Sequence, residues 1–278
     1  MSLLSDPLMQ RALLVALLVG VSAPVIGTYL VQRRLSLLGD GIGHVALTGV
    51  ALGWLVGAAT GLVPDDALAV PGAVVASVLG AVVIEAVRER TRGGGDVALA
   101  LLFYGGIAGG VLLIGLAGGT SANLVGYLFG SISTVSTGDV ALTVGLCALI
   151  LGVGLGLRPA LFAVSHDTEF ARAAGLPVRA LNVVTAVVAA LTVTVSMRVV
   201  GLLLVSALMI VPVAVAQLVA RSFTTTMRLA MVLGTAVCVA GLSVTYWVPI
   251  APGATIVVLA IGVYLVVLLT RAIVPARR

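Results

Sequence analysis

Met9-Gln10-Arg11-Ala12-Leu13-Leu14-Val15-Ala16-Leu17-Leu18-Val19-Gly20-Val21-Ser22-Ala23-Pro24-Val25-Ile26-Gly27-Thr28-Tyr29-Leu30-Val31, followed by Gln32-Arg33-Arg34, decides the fold. Apart from Arg11 the run carries no charge. At about 1.5 Å of helical rise per residue it can cross a hydrocarbon layer about 30 Å thick. Val21-Ser22-Ala23 resembles a small-residue cleavage site, but the basic region before it is poor, with Arg11 alone and Asp6 ahead of it. Arg33-Arg34 then close the run like a stop-transfer signal, so it is expected to be a first span and not a cleaved leader.

Further apolar stretches follow near 42–60, 67–87, 97–117, 139–157, 180–197, 200–219, 227–247 and 254–271. Across all 278 residues, 61% are hydrophobic and 9% charged, and the mean hydropathy is +1.27. So little charge cannot cover a soluble surface of this size. The expected fold class is all-α: a polytopic membrane protein of about nine transmembrane helices, a single domain over 1–278 with the lipid bilayer as solvent. Residues 121–136, apolar but short and rich in Gly and Ser, suggest a half-helix or re-entrant piece.

All fifteen basic residues are Arg. Without a Lys there can be no Walker A phosphate loop, so any ATP hydrolysis belongs to another chain. The arginines sit at span ends and form no patch of the kind nucleic acid requires. With the N-terminus outside, Arg33, Arg34, Arg88, Arg90, Arg92, Arg158, Arg172, Arg179, Arg221, Arg228, Arg271, Arg277 and Arg278 fall inside. Arg11 and Arg198 stay outside with Asp65 and Asp66, and the C-terminus falls inside.

Glycine is clustered, and Gly105-Gly106 with Gly109-Gly110 make two overlapping small-xxx-small pairs of the sort that let helices approach in lipid. Cys147 and Cys238 lie in apolar runs without metal spacing and are expected to pack as small core residues. Glu85 and Glu89 stand beside Arg88 and Arg90, while Asp96 and Asp139 start helices, where an acid is favoured by the helix dipole.

Asp40 and His44 differ from these acids. They lie in Leu38-Gly39-Asp40-Gly41-Ile42-Gly43-His44 at the start of the second span. Four residues apart, they share a helix face with about 6 Å of rise between them. A carboxylate and a neutral imidazole so placed can share a divalent transition metal, with the adjoining glycines opening space. The alternative is a structural Asp–His hydrogen bond. His166 falls in Ser165-His166-Asp167-Thr168-Glu169, read as a polar loop in which Asp167 or Thr168 caps a short helix over 169–174, stopped by Gly175 and Pro177. Phe170, Ala171, Ala174 and Leu176 give that helix an apolar side for the membrane surface or a partner's groove. Ser131 with His44 could imitate a Ser–His dyad, but nothing in the sequence brings them together, and no HExxH or intramembrane Asp pair occurs.

Three stretches together resemble the ABC-3 family, the permease subunits of bacterial ABC importers for manganese, zinc and iron. Leu30-Val31-Gln32-Arg33-Arg34-Leu35-Ser36-Leu37-Leu38-Gly39-Asp40, running on to His44 and Gly49, is similar to the family's first signature. Asp167-Thr168-Glu169-Phe170-Ala171-Arg172-Ala173-Ala174-Gly175-Leu176-Pro177 is similar to its cytoplasmic segment that couples to the ATPase. Val200-Gly201-Leu202-Leu203-Leu204-Val205-Ser206-Ala207-Leu208-Met209-Ile210-Val211-Pro212 is the third.

The resemblance implies a type II importer-like permease in the bacterial cytoplasmic membrane, a homodimer with two ABC ATPase subunits and an extracytoplasmic metal-binding protein. It puts Asp40 and His44 on the metal path, and Asp167, Glu169, Phe170, Ala171, Gly175, Leu176 and Pro177 in a coupling segment of about 160–179. Zn2+, Mn2+ or Fe2+ would then be cargo and not a resident cofactor, with zinc favoured by the affinity order of such ligands. Gly43 stands where the family has Ser, His166 where it has Phe, and Pro249-Ile250-Ala251-Pro252-Gly253 where it has Asp and Ser-Gly. Two other classes remain open: a proton-driven secondary transporter needing no ATPase, and an intramembrane enzyme.

Overall fold

The computed structural model describes residues 6–61, 67–90, 95–118, 126–130, 136–248 and 250–273. Asp65, Asp66, Arg92, Pro249, Arg277 and Arg278, and residues 121–125 and 131–135 of the Gly/Ser-rich segment, lie outside the described residues, as do the side chains of Asp96 and Arg198.

Among the described residues, eleven helices of six residues or more are α1 (Pro7–Gln32), α2 (Leu38–Thr60), α3 (Ala69–Arg90), α4 (Gly95–Leu116), α5 (Thr137–Gly156), α6 (Arg158–His166), α7 (Thr168–Ala173), α8 (Val178–Val200), α9 (Leu202–Val219), α10 (Phe223–Trp247) and α11 (Pro252–Ile273). Among the described residues, nine of them, all but α6 and α7, are long and apolar enough to cross a membrane. The chain is an all-α, multi-pass membrane protein. A helix satisfies its own backbone polar groups, which lipid cannot do for it.

Helix ends follow their sequence. Asp6 caps α1, its carboxylate accepting from the Leu8 N–H at 2.9 Å, with Pro7 in the first turn. Ser136 and Asp139 cap α5 reciprocally, the Ser136 hydroxyl accepting from the Asp139 N–H at 3.1 Å and Asp139 from the Ser136 N–H at 2.9 Å. Arg34, in the left-handed region at φ 58°, turns the chain out of α1 toward α2.

Helix α8 is the hub. It packs against α1, α2, α3, α5 and α9; α2 also packs on α3 and α4, and α1 on α5, α9 and α10. Lipid offers no hydrophobic drive between helices, so close approach and hydrogen bonds hold them. The Tyr29 hydroxyl donates to the Gly154 carbonyl across α1 and α5, and the Thr194 hydroxyl donates to Ser77 at 2.7 Å across α8 and α3. At the opposite end of α8 from the ion pairs below, the helical turn at 126–129 lies against Gly201 and Gly253; a Cβ on Gly253 would fall 2.6 Å from the Phe129 carbonyl oxygen.

Ion pairs gather the ends of α1, α3 and α8 on one face. Arg33 reaches Glu85 at 3.7 Å, Arg88 meets the same carboxylate at 3.0 Å, and Arg179 meets Glu89 at 3.3 Å. The Glu85 side chain is 5% exposed and that of Arg33 11%. Glu85→Ala therefore leaves a buried guanidinium unpaired, at an expected cost of about 3–5 kcal/mol. The surface-facing Glu89→Ala should cost under about 1 kcal/mol. Thermal unfolding of the two variants in detergent checks this, and equal midpoints would contradict it.

Candidate functional site

Asp40 and His44 both belong to α2, whose helix begins at Leu38, earlier than the expected 42. They stand one turn apart on the same face, with His44 Nε2 3.8 Å from Asp40 Oδ2. That is too long for a hydrogen bond, so the purely structural Asp–His bond is not formed. The His44 side chain is 8% exposed, and its Nδ1 has no hydrogen-bond partner among the described residues. Its ring stands edge-on to Phe103 of α4, with centroids 4.5 Å apart. Asp40 lines a cavity of about 300 Å³ with Leu37, Leu99, Phe103 and Tyr104. A carboxylate at the edge of a cavity and an imidazole one helical turn from it can both donate lone pairs to a cation. Among the described residues no group of three or more His, Cys, Asp or Glu is placed to hold a metal.

The glycines around the pair do not open space as expected. A Cβ on Gly43 would run into Leu202 of α9, while one on Gly41 would lie 3.1 Å from Leu99 of α4 and one on Gly39 3.5 Å from Met209. Their absent side chains admit neighbours that fix the α2 backbone. Gly106 does the same from α4: a Cβ there would fall 2.6 Å from the His44 carbonyl carbon. Gly109 and Gly110 lie against Thr48 and Leu47, and the Thr48 hydroxyl donates to the Gly106 carbonyl at 2.7 Å. Gly105 meets nothing within 4 Å and faces away from the chain.

The segment around 160–179 contains two helices, not one. The break after Gly156 and Pro159 in the first turn start α6, so His166 is the last residue of a helix and not part of a loop. Asp167 caps α7, its carboxylate accepting from the N–H groups of Glu169 and Phe170 at 3.0 and 2.9 Å. Gly175, at φ +78°, ends it, with the Leu176 N–H donating back to the Ala171 carbonyl at 3.0 Å, and Pro177 precedes α8. The apolar side splits in two. Ala171 is fully buried and Leu176 packs inward on the core, whereas Phe170 projects outward at 65% exposure.

The ABC 3 transport family matches residues 5–271. The chain belongs to that family. Manganese transport system membrane protein MntC of Halalkalibacterium halodurans is 31% identical over 258 residues, covering 93% of this chain and 85% of its own length. Chelated iron transport system membrane protein YfeD of Yersinia pestis is 30% identical over 280 residues, covering 99% and 91%. The solved structure of PsaBC from Streptococcus pneumoniae in complex with Fab has a TM-score of 0.82 and 32% identity, covering 95% of this chain and 92% of that one. As an ABC 3 protein the chain is a membrane subunit of a transport system and not an enzyme.

Sequence reading missed three features around these candidate residues. Phe103 gave no signal as a neighbour of His44, since an aromatic in an apolar run is ordinary. The Arg33–Glu85 pair joins residues far apart in the chain, and local spacing offered only Arg88. Helix α6 was signalled by Arg158-Pro159, a pair suited to a new helix start.

Proposed function

We propose that this chain is the membrane permease of an ATP-driven importer for a divalent transition metal, acting in the bacterial cytoplasmic membrane. The observation that carries the reading is the Asp40–His44 pair, two metal-competent side chains on one face of α2, not hydrogen-bonded to each other, with Asp40 at a cavity edge. Two ligands hold an ion loosely, which suits a path that must also release it. Water or a second copy of the chain would complete the coordination, and the reading includes a homodimer with alternating access. Relatives named for manganese and chelated iron favour manganese or iron over the zinc that affinity order alone favours.

The face bearing Arg33, Arg88, Arg179 and the α6–α7 segment is the cytoplasmic one in this reading, with the N-terminus outside and the C-terminus inside. Two ATPase subunits dock there, and an extracytoplasmic metal-binding protein delivers the ion from the other side. Phe170 is the anchor, with Asp167, Glu169, Gly175 and Pro177 shaping the helix that presents it. A proton-driven transporter is disfavoured by the buried acids, because Glu85 is paired with arginines and Asp139 is engaged in a helix cap.

Co-purification of the tagged membrane protein with its ATPase, followed by metal-stimulated ATP hydrolysis, tests the reading. Phe170→Ala should weaken ATPase retention by about 2 kcal/mol or more, roughly thirty-fold, as removal of an aromatic anchor does. A clean preparation that moves metal in vesicles with no ATPase present would replace it with the secondary transporter.

A further inference from the structure

A second cavity, of about 290 Å³, opens beside the α6–α7 segment and is not part of the Asp40–His44 site. It is lined by Gln32 from the end of α1, His166 from the end of α6, Gln217 from the last turn of α9 and Arg221 from the turn between α9 and α10. Part of its lining is aromatic. Phe162 stacks on His166, with centroids 5.7 Å apart and planes at 12°, and packs on Phe223 at 4.8 Å. Among the described residues lining it there is no Asp or Glu, and Arg221 has no ion-pair partner there. Asp167, next in the chain to His166, is already engaged by two backbone N–H groups. The N-terminus of α10, with Ser222 as its cap, opens on the same cavity and adds positive potential to it. The charge balance of the crevice is thus cationic and amide-rich throughout.

We propose that this crevice receives an acidic side chain of the partner ATPase, a carboxylate paired with Arg221 and flanked by His166, Gln32 and Gln217. It is a second point of attachment beside Phe170. The proposal rests on the permease reading above. Three observations select this occupant. The crevice is continuous with the docking segment, because His166 immediately precedes the Asp167 cap of α7. Its cation has no partner among the described residues. Its donors come from α1, α6, α9 and the α9–α10 turn, so a carboxylate held there ties the docking helix to several other parts of the bundle. A guanidinium with flanking amides is suited to a carboxylate, which it can bind through two parallel hydrogen bonds. A bound side chain of this kind would transmit a push on α7 directly to the ends of α1 and α9.

The test is retention of the ATPase by the full-length membrane protein in detergent, for wild type, Arg221→Ala, Arg221→Glu and Phe170→Ala, at low and high salt. Arg221→Ala should lower retention about ten-fold and Arg221→Glu further, as loss of one partner of an interfacial charge pair does. The difference from wild type should shrink as salt rises, whereas the Phe170→Ala loss should not. Unchanged elution and unfolding midpoint establish that the Arg221 variants are folded, as expected for an exposed side chain. Wild-type retention by both Arg221 variants, with Phe170→Ala still defective, overturns this proposal and leaves the permease reading standing. Arg221 variants that keep the ATPase but lose a co-purified anionic phospholipid also overturn it, in favour of a headgroup site. If wild type itself retains no ATPase, the permease reading falls and this proposal with it.

Discussion

Vesicles containing the permease–ATPase complex with Asp40→Asn or His44→Ala are expected to take up manganese at background rate, while the complex still assembles. Removing even an outer partner of a metal ligand commonly costs 10–100-fold, so loss of a direct ligand should cost about 100-fold or more. Asp40→Asn keeps the shape of the side chain and removes its charge, so it separates ligation from packing. At 3.8 Å from Nε2 the carboxylate forms no hydrogen bond to His44 that the amide could lose. His44→Ala additionally empties the space beside Phe103, so its unfolding midpoint should fall, whereas that of Asp40→Asn should not. Uptake is followed with radioactive or fluorescence-detected manganese, and basal ATP hydrolysis reports assembly. Normal uptake in both variants would remove the pair from the pathway. Lost uptake together with lost ATPase would reassign it to assembly.

The sequence made the spans and the pair legible because each depends on local facts. Apolar length alone marks a span, and an i, i+4 spacing puts Asp40 and His44 together on any helix that includes both. The Asp167 cap was local too. Helix neighbours were not legible in this way. In water, an apolar stripe points to the core, but lipid is as apolar as leucine, so α11, which is largely exposed, and α1, which is largely buried, look alike in composition. Polar residues held the usable signal. Asn182, Thr185, Thr192, Thr194 and Ser196 are all buried on α8, and such a concentration in one span marks a helix packed against many others. The split of the segment around 160–179 was hidden for a similar reason: Ala171 and Phe170 are both apolar, and only the geometry of α7 shows that one faces the core and the other faces outward.

Gly27→Val is expected to prevent assembly of the bundle. Gly27 lies where α1 crosses α9, and a Cβ built on it would overlap the backbone carbonyl of Met209. Overpacking against a side chain typically costs about 1–3 kcal/mol because a rotamer can give way. A carbonyl within a helix cannot move without displacing its helix, so the cost should exceed about 4 kcal/mol, beyond the usual range for point substitutions. Displacing α9 also carries Leu202 and Met209 away from Gly43 and Gly39, which would loosen α2 at the metal-competent pair. The control is Gly145→Val on α5, where an added Cβ meets nothing within 4 Å. Fluorescence-detected elution and thermal unfolding in detergent should show aggregated or absent protein for the first variant and an unchanged midpoint for the second. A well-folded Gly27→Val protein would mean that α1 and α9 cross at a greater distance than the structure places them. A collapsed Gly145→Val protein would mean that α5 has a neighbour at that position, such as a second copy of the chain.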